Sequence, residues 1–355
     1  MNSDQRREPA TYFSYVLVAL GISGLLNGWP SLAATQEAAA PTAAAASPEK
    51  QRSSKCPPTR PLGLQSYEPS AFGHEKRSDD VGFYNIKISV KYPLAPIALG
   101  CRFGDENRLY FAFTGYWDFY IGDRRSSPVV GKEYNPQLFW QHFFDDGGQE
   151  LFAPKESVGA SSSGQAPHGR RAYWTLGYAH DSNGQTSDSL AQYTQTEQSQ
   201  GTEAAKDAIS RGWDYGFVGL RLVPVSKPEY RVSLYPMVRF FLSHGLFQGR
   251  PEEIHDWEPV TDGKPRKAVD GLSLLGKLQW HTRSNSYIVG DAKLAVRYGT
   301  GYQSPFHHST IRVEAGLQFF QLPVVLWGQN GYMSDLSQYY HRVSAYGLEV
   351  EIGAF

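Results

Sequence analysis

The segment YGLEVEIGAF at positions 346–355 alternates between apolar side chains and charged or small ones. The apolar members of this alternation are Tyr346, Leu348, Val350 and Ile352, and the charged members are Glu349 and Glu351. Successive side chains of a β-strand point to opposite faces, so a period of two predicts an extended strand. The segment therefore predicts a strand with one apolar face and one charged face.

The same period of two recurs through the chain, at 84–92, 230–242, 288–298 and 311–319. A soluble β-sandwich would show this alternation with its apolar face turned inward. Three features favour the inverse arrangement, a transmembrane barrel with its apolar face on lipid. The strands are long, aromatic residues lie at their ends, and the last strand ends in Phe355, as outer-membrane barrels commonly do. The sequence thus predicts an all-β, antiparallel transmembrane β-barrel.

Twelve candidate strands can be counted, which places both termini of the barrel on the periplasmic side. Their ranges are 61–70, 82–93, 108–120, 133–144, 170–182, 211–224, 229–243, 268–281, 286–299, 308–320, 323–333 and 342–355. The long connection at 183–210 is then expected on the outer side of the membrane, and the short one at 225–228 on the periplasmic side.

Composition limits the function classes. The 34 Lys and Arg residues are balanced by 35 Asp and Glu residues, so no basic excess favours nucleic-acid binding. Aromatic residues make up 14% of the chain, which suits strands. With two cysteines, a disulfide-dense miniprotein is excluded. Cys56 and Cys101 are both expected in the periplasm, either as a disulfide or as two unpaired thiols.

The N-terminal region has the pattern of an export signal. An apolar run at 12–26 follows Arg6 and Arg7 and precedes small residues at 31–34, which predicts a secretory signal peptide over 1–34. A single membrane anchor is the alternative, but the run is shorter than the roughly 20 residues that a spanning helix needs. Residues 35–60 are rich in Ala, Pro and Ser and predict a disordered periplasmic tether ahead of a barrel over 61–355.

One strand end carries a pattern of hydrolase type. His180 and Ser182 continue the apolar row of the strand at 170–182, and antiparallel pairing across the connection at 183–210 would set Asp214 beside His180. A nucleophile, a base and an orienting carboxylate are the parts of a serine hydrolase. From spacing alone, ordinary polarity at a strand end explains the pattern equally well.

The string His180-Asp181-Ser182-Asn183-Gly184, followed by Ser210-Arg211 and Trp213-Asp214, resembles the outer-membrane phospholipase A family. The segments SSP at 126–128 and YNPQLF at 134–139 support the resemblance, which extends from about residue 61 to 355. It implies a calcium-dependent carboxylic ester hydrolase of the bacterial outer membrane. The expected substrates are membrane glycerophospholipids, hydrolysed with phospholipase A1/A2 and lysophospholipase activity at the outer leaflet.

The resemblance implies a role for each residue of the motif. Ser182 matches the nucleophile, His180 the general base, and the backbone N–H of Gly184 an oxyanion donor. Asp214 stands where the family has an Asn that orients the histidine, which is a departure. Because the family carries Asn there, Asp214→Asn is expected to be tolerated better than Asp214→Ala.

The resemblance also implies a calcium site that two chains share. Ser210 matches a hydroxyl ligand, and Gln185 stands at a position that supplies a backbone carbonyl. Ser126 matches a ligand that the partner subunit provides, so the active form is expected to be a homodimer. Two other classes of function remain open: a lipopolysaccharide deacylase with a similar Ser/His pair, and a passive channel that loses nothing when Ser182 is replaced.

Overall fold

The computed structural model describes residues 63–78, 82–94, 107–120, 129, 131–143, 172–248, 264–281, 289–320, 322–333 and 335–352. The predicted signal peptide and tether lie outside these residues. So do Cys56, Cys101 and Ser126, and the predictions made for them remain predictions.

Twelve long strands close into one antiparallel barrel. The strands, with a short β1 (Gln65–Ser66) before them, are β2 (Ser70–Arg77), β3 (Gly82–Pro93), β4 (Asn107–Phe119), β5 (Lys132–Phe143), β6 (Tyr173–Ser182), β7 (Gly212–Ser226), β8 (Tyr230–Phe241), β9 (Gly271–Trp280), β10 (Val289–Gly301), β11 (Ser309–Phe319), β12 (Leu322–Gly331) and β13 (Val343–Ile352). Each pairs with the next in sequence, and β13 pairs with β2 to close the barrel. The predicted fold class and strand number are confirmed.

The predicted first strand, at 61–70, is wrong in its bounds. The barrel strand runs instead over 70–77, and only the two residues of β1 continue its pairing along β3. Pro69 has no backbone N–H to donate to a ladder. The neighbouring Tyr67 ring stacks on Phe139, with ring centroids 5.2 Å apart. The pairing is therefore interrupted between β1 and β2.

Side chains alternate around the barrel as the sequence predicts, with apolar ones exposed on the outside. The exposed outward residues include Leu176, Val218, Leu294, Val313, Leu317, Leu326 and Leu348. Charged residues face inward and pair there: Lys293 bonds Glu351 and lies 3.3 Å from Glu314. An apolar exterior around a polar interior is the pattern of a transmembrane barrel, and it rejects the soluble sandwich.

The connection at 183–210, predicted only as a loop, contains two helices, α1 (Leu190–Gln200) and α2 (Thr202–Asp207). Ser189 caps α1 by accepting a hydrogen bond from the N–H of Gln192. A third short helix, α3 (Arg266–Val269), precedes β9. In the part of the chain that is described, no helix has the length and apolar character to cross a membrane.

Candidate active site

His180 and Asp214 meet at the barrel end where β6 finishes and β7 begins, here named the site end. They are direct partners in the β6–β7 register. His180 Nδ1 lies 2.6 Å from Asp214 Oδ1, which is hydrogen-bonding distance. The even-numbered residues of β6 face outward, with Leu176 exposed, and those of β7 do so with Val218 exposed. The pair is therefore on the lipid-facing surface.

Asp214 is completely buried even though its row faces outward. The segment after β8, residues 242–248, covers it. The N–H groups of Phe247 and Gln248 donate to Asp214 Oδ2 at 2.8 and 3.2 Å, and the hydroxyl of Tyr178 donates to the same oxygen at 2.5 Å. Together with the bond to His180, the carboxylate takes part in four hydrogen bonds.

The covering segment, residues 242–248, is itself tied to the site. The N–H of Leu246 donates to the Tyr178 hydroxyl at 2.7 Å, and the Asp214 N–H donates to Gln248 Oε1 at 3.1 Å. A Cβ placed on Gly245 would lie 1.9 Å from Asp214 Oδ2, so only glycine lets the chain pass this close. This segment could not be recognised from the sequence, because its role depends on strand register and not on a local motif.

Ser182 stands two residues beyond His180 on the same outward row and pairs with Gly212. The space beside Gly212 borders both side chains: a Cβ built there would lie 3.5 Å from His180 Cε1 and 3.7 Å from Ser182 Cβ. Among the described residues no hydrogen bond joins the Ser182 hydroxyl to the imidazole. Catalytic hydrogen bonds are often long in ligand-free enzymes and shorten in the substrate complex.

Asn183, buried and not predicted as a site residue, holds the turn after Ser182. Its Nδ2 donates to the Ile209 carbonyl at 2.7 Å, and its Oδ1 accepts from the N–H groups of Arg211 and Gln185 at 2.8 and 3.3 Å. The turn continues through Gly184, whose φ of +57° is in the left-handed region that favours glycine. Its place in the HDSNG string was the only sequence signal for Asn183.

Gln185 and Ser210, the described candidate calcium ligands, lie on the two segments that Asn183 joins. The Ser210 N–H also donates to the Ser187 carbonyl at 2.8 Å. A backbone carbonyl and a hydroxyl are oxygen donors of the kind calcium binds, so these residues fit the ion in type. Two neutral oxygens fill only part of its six to eight positions. No cluster of three or more His, Cys, Asp or Glu side chains in the described ranges is placed to hold a metal.

On the inner side of β6, Asp181 anchors the site end. Its carboxylate lies 2.5 Å from Arg266 Nη2, and both side chains are buried. The Arg266 guanidinium stands over the rings of Trp213 and Phe241, each 4.7 Å away. Asp270 also pairs with Arg266. Although burial favours its neutral form, the cations Arg239 and Arg266 hold the pKa of Asp270 below the usual value.

Inside the barrel, a separate cavity of about 160 Å³ opens near the same end. It is lined by residues of other strands, among them Glu75, Asp118 and Arg312. The wall of this cavity contains none of the outward-facing residues around His180. The candidate active site is therefore a surface site on the barrel exterior, not a lumenal pocket.

No protein-family model and no curated protein matches the chain. Solved structures do resemble it. Outer membrane phospholipase A from Escherichia coli shares 16% identity at a TM-score of 0.52, over 83% of this chain and 93% of that one. An active-site mutant of that protein gives a TM-score of 0.53 with the same identity and coverage. The calcium-bound dimer of the Salmonella typhi outer membrane phospholipase gives 0.50 at 16% identity, over 82% and 93% of the two chains.

These likenesses establish a class of fold. The chain is a twelve-stranded β-barrel of the outer-membrane type, distantly similar in fold to outer membrane phospholipase A. At 16% identity the comparison establishes the fold alone.

Proposed function

We propose that the protein is a calcium-dependent outer-membrane phospholipase that hydrolyses acyl esters of glycerophospholipids with Ser182, His180 and Asp214. The observation that carries the proposal is the 2.6 Å contact between His180 and Asp214 on the lipid-facing row that also holds Ser182. Polar groups on such a surface are costly unless they pair or perform a function. A site that opens toward lipid suits a substrate that is itself a membrane lipid.

The proposed chemistry is acyl transfer in two steps. Ser182 Oγ attacks the acyl carbonyl while His180 Nε2 accepts the hydroxyl proton, and Asp214 stabilises the resulting imidazolium through Nδ1. The N–H of Gly184 is assigned to the oxyanion of the tetrahedral intermediate. Collapse breaks the ester bond, and His180 gives its proton to the leaving alkoxide. Water then attacks the acyl-enzyme by the same route and releases the fatty acid.

Ser210 and the Gln185 carbonyl are the residues of this chain that would hold calcium, with Ser126 of a second chain as a further ligand. When bound there, calcium would supply stabilisation of the negative charge that develops in the transition state. Because the described donors are few, water and a partner subunit complete the shell in this proposal. A homodimer would then be the active form, and a monomer would remain idle in a membrane made of its own substrate.

The test uses detergent-purified protein on defined phospholipid micelles, with calcium or with a chelator. Wild type is expected to release fatty acid with calcium only, and Ser182→Ala is expected to release none while keeping its heat-modifiable folded band. Activity that survives in folded Ser182→Ala would contradict the proposal. Hydrolysis of lipopolysaccharide in place of phospholipid would establish the deacylase alternative, and conductance without hydrolysis would establish the channel.

A further inference from the structure

We propose that Tyr178 and the backbone of residues 246–248 form a positioning clamp that requires a carboxylate, not an amide, at position 214. The inference rests on the proposed function and names positioning residues for the same site. The resemblance gave the expectation that Asp214→Asn is tolerated better than Asp214→Ala, and the clamp adds that Asn is not equivalent to Asp at this position.

The two oxygens of Asp214 meet different hydrogen-bond donors. Asp214 Oδ1 contacts His180 Nδ1 at 2.6 Å, while three donors converge on Oδ2. Those donors are the Tyr178 hydroxyl and the N–H groups of Phe247 and Gln248, at 2.5, 2.8 and 3.2 Å. Both oxygens therefore act as acceptors, which an ionised carboxylate satisfies fully.

An asparagine cannot reproduce this pattern. If its oxygen faced His180, its NH₂ group would face the N–H groups of Phe247 and Gln248, and two donors cannot bond each other. If the amide turned over, its NH₂ group would face the imidazole. The Tyr178 hydroxyl can rotate to accept, but backbone N–H groups cannot. Since Asp214 is buried, the first orientation leaves those two N–H groups unsatisfied at a cost that water does not relieve. The second orientation satisfies every donor only when the imidazole carries its proton on Nε2, and in that tautomer Nε2 cannot accept the proton of Ser182.

Tyr178 links Asp214 to the covering segment. Its hydroxyl donates to Asp214 Oδ2 and accepts from the N–H of Leu246 at 2.7 Å, so one oxygen fixes both the carboxylate and the covering segment. The residue lies on β6, on the same outward row as His180. Gly245 allows the backbone to approach Asp214. Tyr178 acts on the imidazole through Asp214 and is therefore a positioning residue.

The first experiment does not depend on activity. Amide hydrogen exchange at Leu246, Phe247 and Gln248 is measured in wild type, Tyr178→Phe and Asp214→Asn, each in detergent. Leu246 and Phe247 are exposed, so we expect protection of their amides in wild type only because of the clamp, whereas Gln248 is itself buried. Exchange should become at least about tenfold faster in Tyr178→Phe, which removes the acceptor of the Leu246 N–H. In Asp214→Asn, exchange as slow as in wild type would indicate that the amide oxygen faces the covering segment and the NH₂ group faces His180, and faster exchange would indicate the reverse; the clamp predicts a loss of activity in both cases. Tyr298→Phe is the matched control, since its hydroxyl bonds Ser309 at 2.6 Å on distant strands.

The second experiment is a double-mutant cycle on ester hydrolysis. Tyr178→Phe and Asp214→Asn should each lower kcat by about tenfold or more with little change in KM. In the Asp214→Asn background, adding Tyr178→Phe should cost less than about twofold further, because the carboxylate through which Tyr178 acts on His180 is already absent. In Tyr178→Phe the acid limb of the pH–rate profile should move to higher pH. The carboxylate that faces His180 has lost a hydrogen-bond donor and therefore stabilises the protonated imidazole more strongly. Tyr298→Phe should behave as wild type in every assay.

If the wild-type amides are protected from exchange but the protein hydrolyses no ester, the clamp is supported and the proposed function is contradicted. The clamp is overturned if the three amides exchange at unprotected rates in wild type, or if folded Asp214→Asn keeps half or more of the wild-type kcat. Additive losses in the cycle would overturn it as well, because independent effects would mean that Tyr178 does not act through Asp214.

Discussion

His180 Nδ1 and Asp214 Oδ1 lie 2.6 Å apart on neighbouring strands, on an outward surface that also carries exposed apolar residues such as Leu176 and Val218. The carboxylate is buried there because residues 242–248 fold over it from the outside. The barrel thus creates a small polar, water-poor site on its lipid face. Electrostatic interactions are stronger in such an environment than in water, which favours transition-state stabilisation.

The close contact between the backbone of Gly245 and the carboxylate of Asp214 leads to a prediction for Gly245. Gly245→Ala should lower kcat by about tenfold or more, because its Cβ would fall 1.9 Å from Asp214 Oδ2 and displace the covering segment. Gly299→Ala is the control, since its Cβ would meet its nearest neighbour only at 3.9 Å. Steady-state hydrolysis of a soluble ester measures both. Full activity in folded Gly245→Ala would show that the contact does not position the carboxylate.

The exposed side chains of Leu246 and Phe247 lead to a prediction about how acyl chains bind at the site. Their side chains are 83% and 68% exposed, and the Phe247 ring centroid is 6.0 Å from that of His180. Replacing both with Ser should raise KM for long-chain phospholipid by about tenfold, because apolar contact with the acyl chain is lost. Hydrolysis of a short soluble ester should change little.

The control for that pair is Phe306→Ser, an equally exposed phenylalanine on the connection between β10 and β11. It should leave both substrates unaffected. If the Leu246 and Phe247 replacements reduced the two substrates by the same factor, these side chains would act on the catalytic groups and not on the acyl chain.

The proposed calcium site, with ligands from two chains, predicts complementation between two inactive chains. Ser182→Ala lacks the nucleophile and Ser126→Ala lacks the ligand offered to the partner, so each homodimer should be nearly inactive. In a mixed dimer, one active centre has Ser182 from one chain and Ser126 from the other, so part of the activity should return with calcium present. If cross-linked heterodimers stayed inactive, or Ser126→Ala alone were fully active, calcium would not be shared in this way.

The buried ion pair beneath the site predicts a loss of stability. Arg266→Met removes the partner of buried Asp181, so the free energy of unfolding should fall by about 3–5 kcal/mol. Urea unfolding followed by tryptophan fluorescence measures the change. Arg342→Met, which removes two exposed hydrogen bonds to Asn330 Oδ1, should cost less than about 1 kcal/mol. Equal midpoints for the two variants would show that the buried pair contributes no more than a surface contact.

The fold could be predicted well from the sequence because one physical rule operates along every strand. Lipid outside and a polar lumen inside force a period of two, which is why segments such as 311–319 could be placed within a few residues. The first strand was misplaced because the register shifts between the pairs Ser66–Val90 and Ala71–Lys87, around Pro69, and alternation alone does not reveal such a shift. The helices at 190–207 were missed because they pack locally at the end of the barrel and carry no barrel periodicity.

The site could be predicted only in part. Parity and antiparallel pairing placed His180 beside Asp214, since both rules are local to two adjacent strands. Asn183 and the covering residues 246–248 could not be found in this way. Their function depends on which backbone groups they meet across 26 to 34 positions of sequence, and such contacts leave no spacing pattern.

The most direct test of the central claim is to ask whether Ser182 is an activated nucleophile. Folded protein in detergent with calcium is treated with a long-chain alkyl fluorophosphonate, which reacts covalently with activated serines, and the adduct is located by peptide mass spectrometry. The proposed mechanism predicts one adduct, on Ser182, and a rate that falls by about a hundredfold or more in His180→Ala. An unmodified Ser182 in folded protein, or an adduct on another residue that forms equally fast in His180→Ala, would contradict it.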